Sequence, residues 1–275
     1  MYLNKVVKRR GIIIPLIIVT FIVFLTLLIN PSPHEIYEVN PAQRLLPPSL
    51  SHPFGTDALG RDVFMRLIVG TRISLVLSIS AVLLAAVIGT ISGIIAAIYG
   101  SIIKLILSVI FEYLYIIPSI IIAFLLSMIT SPGSHVIIIA ATLFLLSLFF
   151  RISLTAASMI LTQPYIEAAY AIGASSFHIA LNYILRVYLP ILFVLIIYNI
   201  PQAIFCEIIL SFIGLGIQPP TPSLGVMIIE GVKYIQVAPH ILEVTILFLF
   251  MLVFSLNILS EELEKSLKIY SLSYL

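Results

Sequence analysis

Six uninterrupted apolar runs, each near the length that crosses a lipid bilayer, leave this chain few possible folds. They fall at about 12–29, 73–99, 104–128, 136–157, 185–212 and 241–259. A helix needs about 20 apolar residues to cross a hydrocarbon core of roughly 30 Å. In lipid the backbone must satisfy its own N–H and C=O groups, which only helices and closed barrels achieve. A barrel would need segments of about ten residues with alternating polarity. These runs are continuous, so an all-α membrane protein with six transmembrane helices is expected. Composition agrees: 9% of residues are charged, against about 25% in soluble domains, and the mean hydropathy is +1.22.

The few charges sit mostly at the ends of the runs, and a net charge of +2 is too small to direct the chain to nucleic acid. Lys5, Lys8, Arg9 and Arg10 precede the first run; Lys265 and Lys268 follow the last. Positive residues beside short loops mark the cytoplasmic side, so six crossings place both termini inside (N-in, C-in). Arg44, Arg61, Arg66 and Arg72 then fall outside, on a long loop where that rule is weak. The basic start also fits a secretory signal. The run after it is too long, and no A-x-A-like site precedes Asn30, so a retained anchor is expected. The chain divides into a tail and first span (1–30), an extracytoplasmic loop (31–72), a five-helix core (73–259) and a cytoplasmic tail (260–275). In the tail, Glu261, Glu262 and Glu264 with Lys265 and Lys268 read as a solvated face. The single cysteine, Cys206, reads as a small buried hydrophobe. No His/Cys pair has zinc spacing, and no metal ligands are expected. Without Trp, any interfacial aromatic belt falls to Tyr and Phe.

The long loop ends in HPFGTDALGRDVFMRLIVGTRISL, residues 52–75, where Gly55, Thr56, Asp57, Gly60, Arg61 and Asp62 crowd together. Thr56 and Asp57 are good N-caps. Asp57 with Arg61, and Asp62 with Arg66, have the i,i+4 spacing of helical ion pairs. The local expectation is a short, capped, charge-laced helix leading to the second span; direct contact with a substrate or partner is the functional alternative.

Within the runs, Gly89 and Gly93 form a GxxxG pair that permits close helix approach, inside the chain or against a partner. Glu112 and Glu207 are ionisable residues in apolar surroundings, where such groups are costly and functional by default; Glu112 is simply hydrated if it lies near the membrane surface. Pro118 should kink the third span. Arg151, towards the end of the fourth, either snorkels to the interface or pairs with Glu167 or a partner. Beyond Glu207, residues 210–225 carry Gly214, Gly216, Pro219, Pro220 and Pro222, which cannot hold a continuous helix. Such backbone at membrane depth needs protein cover, so a rigid re-entrant or outer loop is expected, as a gate or as a brace.

Between the fourth and fifth runs lies YIEAAYAIGASSFHI, residues 165–179, an island of small, weakly polar residues. Pro164 suits a first helical turn. Ile166, Tyr170, Gly173 and Phe177 recur at i, i+4, i+7 and i+11, which predicts an amphipathic helix over about 164–180 lying along the membrane surface. Glu167 suits the positive end of the helix dipole. Gly173 allows close backbone approach or a break between two short helices. Helices that lie on lipid usually carry Lys and Arg on the polar face. None occurs at 164–182, so docking of a partner from the water phase is favoured.

Glu167-Ala168-Ala169 followed by Gly173 resembles the EAA loop of ATP-binding-cassette importer permeases. The 52–75 and 210–225 segments, the stretch YIIPSIIIA at 115–123, Arg151, and Glu207 three residues before Leu210-Ser211 resemble, in order, the C-type permease of dipeptide, oligopeptide and nickel importers. The resemblance covers about 52–259 and implies a type I importer permease fold in a bacterial cell membrane. It also implies partners: a second permease forming a heterodimer, two ATPase chains that carry ATP and Mg, an extracytoplasmic binding protein, and membrane lipid. In that family the loop that matches Ile166, Glu167, Ala168, Ala169, Tyr170, Gly173 and Phe177 seats in a groove of the ATPase. ATPase closure would then rock the helices between inward- and outward-facing states. Glu112, Arg151 and Glu207 become candidates for the translocation path or a subunit interface. Three departures stand out: Arg186 follows Ile184-Leu185 where Pro is usual, with Leu189-Pro190 only later; Thr162-Gln163 replaces a common Arg-Glu pair; and Leu224 stands where Trp is usual.

No GxxxxGK[ST] phosphate cradle is present, so ATP hydrolysis is expected on separate chains and this chain is not expected to be an enzyme. The alternative class is a secondary transporter driven by an ion gradient through Glu112 or Glu207, with no ATPase partner. No nucleophile–base constellation favours a membrane enzyme. The resemblance implies short peptides, nickel or metal–chelator complexes as substrate. Scattered His34, His52, His135, His178 and His240 argue against bare metal, while the compact N-terminus leans towards the nickel or metallophore branch.

Overall fold

A computed structural model describes residues 10–271. Lys5, Lys8 and Arg9, which carry the orientation argument, lie outside the described residues, as does the side chain of Lys268. The helices are α1 (Arg10–Leu28), α2 (Pro33–Tyr37), α3 (Val63–Tyr99), α4 (Ser101–Ile116), α5 (Ser119–Ile129), α6 (Ser134–Leu161), α7 (Pro164–Ala171), α8 (Ser176–Ile179), α9 (Leu185–Phe212), α10 (Leu224–Lys233) and α11 (His240–Ser271). A π turn, Ala180–Ile184, joins α8 to α9 without a loop.

Among the described residues, four helical runs are long and apolar enough to cross a membrane: Val63–Tyr99, Ser134–Leu161, Ser176–Phe212 and His240–Ser266. The α4–α5 pair makes a fifth only as a broken unit, bent by 88°. The apolar part of α1, Ile12–Leu28, is shorter. Three of the predicted boundaries move; the helix of the sixth run continues past 259 through the tail to Ser271. The helix of the second run begins at Val63, not 73, because the Asp62 side chain accepts from the Met65 backbone N–H at 3.0 Å and so caps it. The helix of the fifth run effectively begins at Ser176. The break in the third run falls where Pro118 predicts a kink: Ile117 is extended and α5 starts immediately after Pro118.

The centre of the bundle is the packing of α3 against α6. The two run parallel, since the Thr142 hydroxyl donates to the Ala81 carbonyl and that of Ser153 to the Gly89 carbonyl. The GxxxG pair makes this crossing. A Cβ on Gly89 would lie 2.7 Å from the Phe149 Cβ, and one on Gly93 2.7 Å from the Phe150 carbonyl oxygen. Of the two readings of that motif, packing within the chain is the one this contact uses. After Gly100, α4 returns alongside: Phe111 stacks on Phe150 with ring centroids 4.3 Å apart, and the Ser147 hydroxyl donates to the Phe111 carbonyl at 2.6 Å. At the other side of the bundle α1 lies against α11. Arg72 of α3 ties it down, its Nε donating to the Thr26 carbonyl at 2.6 Å and its Nη1 reaching Asn30 at 3.1 Å. A cation on the last carbonyls of a helix complements both the free acceptors and the dipole.

Candidate functional site

At the end of the bundle where α3 begins, residues 40–62 form a compact loop. Thr56 pairs with Asp62 in an isolated bridge. The Thr56 hydroxyl accepts from the Leu46 N–H at 2.8 Å and donates to the Gln43 carbonyl. Gly55 and Gly60 take positive φ, +73° and +77°, the conformation Gly tolerates at no steric cost. The expected short helix capped by Thr56 or Asp57 does not form ahead of α3: the Asp57 side chain accepts instead from the N–H groups of Leu59 and Arg61 (2.8 and 3.0 Å) and closes a turn. The Asp57–Arg61 pair forms, at 2.6 Å. The Asp62–Arg66 pair does not: Asp62 is occupied as the cap of α3 and by His52 Nδ1 at 2.8 Å. Arg66 turns inward to Asp57 (3.2 Å) and to Glu230 of α10 (3.0 Å), which also takes Arg61 at 3.2 Å. The Asp57, Arg61 and Arg66 side chains are at most 3% exposed, and Glu230 is 21% exposed. Two cations thus face two carboxylates in a buried quartet that ties the loop to α10. Sequence reasoning missed Glu230. The signal was an acid inside the apolar helix MIIEGVK while the 52–75 segment held more cations than local partners.

Beside this quartet, Glu207 of α9 is completely buried. It faces hydroxyls, not a cavity or a subunit surface: Ser74 of α3 donates to it at 2.9 Å and Ser211 at 2.8 Å. Ser74 in turn accepts from the Leu224 N–H at 3.0 Å, and Ser211 from the Ile217 N–H at 3.3 Å. The carboxylate therefore gathers α3, α9 and both ends of the Gly/Pro-rich 213–223 segment. Arg66 adds a 3.4 Å contact to the Pro220 carbonyl. Of the two expectations for that segment, bracing is what these contacts do. Beyond it, α10 packs between α9 and α11, a short helix the sequence reading passed over.

At the opposite end, beyond α6, lies the 164–180 island. It is not one helix. α7 stops at Ala171, Gly173 takes φ +90°, and α8 restarts at Ser176, capped by the Ser175 hydroxyl. Consequently Ile166, Tyr170, Gly173 and Phe177 do not share a face. Ile166 and Ala169 are buried with Ile179 and Ile184 against the ends of α3 and α6. Glu167, Ala168 and Tyr170 point outward, and Ile172 and Phe177 are 88% and 74% exposed. The island is thus mounted on an apolar underside and presents apolar knobs around the Glu167 carboxylate. Arg186, just past the π turn, is exposed, and Pro190 sits inside α9, so the departure from the usual Leu-Pro order is absorbed within a helix. Glu112 and Arg151 are both exposed, on α4 and α6, and neither forms an ion pair among the described residues, including the one foreseen between Arg151 and Glu167.

Residues 89–268 match the family described as binding-protein-dependent transport system inner membrane component, and the chain belongs to that family. It is 35% identical over 220 residues, 80% of this chain and 73% of the relative, to the glutathione transport system permease protein GsiD of Shigella dysenteriae serotype 1. GsiD of Escherichia coli O157:H7 is 36% identical over the same shares. Among solved structures, the MetNI methionine ABC transporter in an inward-facing form superposes with a TM-score of 0.60 at 20% identity, covering 74% of this chain and 97% of that one. The chain is an ABC importer permease, a multi-pass component of the cytoplasmic membrane. Membership sets aside the gradient-driven transporter reading.

Proposed function

We propose that this chain is the permease half of an ATP-driven importer for short peptides or glutathione-like molecules. It crosses the membrane six times with both termini inside, α1 and the bent α4–α5 pair completing the count. The observation that carries the coupling mechanism is the island. Its apolar knobs, Ile172 and Phe177, stand free around Glu167 while Ile166, Ala169, Ile179 and Ile184 anchor it below. Such an exposed apolar patch marks an interaction surface, and a groove on a separate ATPase chain, which carries ATP and Mg, is its occupant. A second permease and an extracytoplasmic binding protein complete the system, with two ATPases in all. ATPase closure moves the island and rocks the bundle between its two openings. The peptide assignment draws on the glutathione permeases among the relatives; nickel or chelated metal is the competing cargo.

Replacing Phe177 by Asp together with Ile172 by Asp should leave the chain in the membrane, reduce co-purification of the ATPases at least tenfold and abolish uptake. Normal co-purification and uptake by this double variant would sink the docking assignment. Labelled glutathione against chelated nickel, in cells lacking the chain, separates the cargoes.

A further inference from the structure

α4 has three distinct faces. Leu107, Phe111 and Leu114 pack on α6. Ile102, Ile106 and Ile110 are exposed and form an apolar side, which also carries the phenol of Tyr113. Its remaining polar residues, Ser101, Lys104, Ser108, Glu112 and Tyr115, fall within about 80° of arc when counted at 100° per residue. A polar stripe running most of the length of an apolar helix is costly against lipid, so it faces water or another polar surface. The helix then breaks at Ile117–Pro118 with an 88° bend. Its last carbonyls are left without helical partners, and broken helices at membrane depth occur where protein covers them or where they line a water-filled cavity; the polar stripe leading into this break favours the second.

Arg151 completes this face. It follows Phe150, which stacks on Phe111, so Arg151 and Glu112 lie at one level of the bundle. On α6 it is displaced by about 90° from the surface that meets α4, on the side away from α3; the stripe is displaced by a similar angle from the surface of α4 that meets α6. Because the two helices run antiparallel, both displacements open to the same side. Packed helix axes lie about 8–10 Å apart, which leaves room between the carboxylate and the guanidinium. The two do not pair with each other.

We propose that the α4 stripe lines the aqueous translocation path and that Glu112 and Arg151 form a station for a zwitterionic substrate, Glu112 facing its ammonium group and Arg151 its carboxylate. This rests on the permease reading above and assigns the charge class of the cargo. The test uses the full transporter, with its partner permease and ATPases, in inside-out vesicles and in a Cys206→Ala background. Single cysteines are placed at Ser108 and Tyr115 on the stripe and at Ile106 and Ile110 on the apolar side. Their reaction is timed with a cationic and an anionic methanethiosulfonate of similar size. The stripe positions should react at least tenfold faster than the apolar ones. At Ser108→Cys the cationic reagent should lead by about fivefold, a preference that Glu112→Gln removes and Arg151→Gln increases. Glycylglycine should slow labelling there at least threefold, while its N-acetylated, C-amidated form, which lacks both charges, should not. Equal rates on both faces would mean that lipid or the second permease covers the stripe, and would overturn the proposal. Accessibility without the charge effects or without protection by glycylglycine would overturn the zwitterion station. Co-purification of the ATPases is scored separately, so failure of the station and failure of the permease reading are told apart.

Discussion

Asp57→Ala is expected to cost about 3–5 kcal/mol of stability, the range for breaking a buried charge network by removing one partner. Asp57 receives Arg61 at 2.6 Å and Arg66 at 3.2 Å and also closes the turn through two backbone N–H groups. Without it, two buried guanidinium groups are left to Glu230 alone. In a chain of this size the loss corresponds to a fall in Tm on the order of 10 °C, measured on the purified protein in detergent. Asp57→Asn keeps acceptors for the turn but not the charge, and should fall between. Glu230→Gln should cost less than Asp57→Ala, because Glu230 is 21% exposed and water can take over part of its role. An unchanged Tm for Asp57→Ala would show that the quartet does not hold the loop to α10.

Gly93→Leu should be the most damaging single change within the bundle. Its first side-chain atom alone would lie 2.7 Å from the Phe150 carbonyl and 2.8 Å from the Leu154 nitrogen, both backbone atoms of α6. Backbone cannot swing aside as a side-chain tip can, so α3 and α6 must separate and the packing around them is lost. Overpacking of a well-filled core costs about 1–3 kcal/mol, occasionally more; here the upper end or failure to fold is expected. The readout is the fraction of monodisperse protein recovered from membranes, with Gly93→Ala as the milder step. Gly173→Leu is the contrast. Nothing lies within 4 Å of its Cβ position, so its cost is confined to the strained positive φ and falls on the island, not on folding of the bundle. Recovery of Gly93→Leu at the level of Gly173→Leu would refute the tight crossing.

The parts of this molecule that the sequence displays are those fixed by local chemistry. Apolar run length locates the helices, because a backbone in lipid must bond to itself. Pro118 marks a break, and the charge-poor 165–179 island stands out from its flanks. What it hides is partner choice over long separations. Arg66 sits four residues from Asp62, yet its carboxylates are Asp57 and Glu230, the second 164 residues away. The i,i+4 rule could not see that Asp62 was already engaged as a cap. Glu207 reads as a functional charge at membrane depth, but Ser74 of α3 and Ser211 of its own helix supply it with hydroxyls. The island's periodicity predicts one helix; the positive φ at Gly173 splits it, and the buried set becomes Ile166, Ala169, Ile179 and Ile184. The angle at Pro118 was equally hidden, since proline removes a hydrogen bond without dictating where the next helix goes.

The uninterrupted passage from α8 through the π turn into α9 has a mechanical consequence. Phe177 and Glu207 sit on one helical run, separated by about 45 Å at 1.5 Å per residue, with no loop between them; only the π turn and Pro190 and Pro201 offer it points of bending. A tilt of only about 5° carries one end roughly 4 Å relative to the other, by the same helix geometry. The Ser74–Glu207 hydrogen bond, 2.9 Å long, does not survive a relative shift of that size. Either α3 and the 213–223 segment travel with the helix, or the serine cluster opens. The island and the loop on the far face are therefore joined through one continuous helix, and a force that tilts it between these bending points reaches the far face as the making or breaking of a carboxylate's hydrogen bonds.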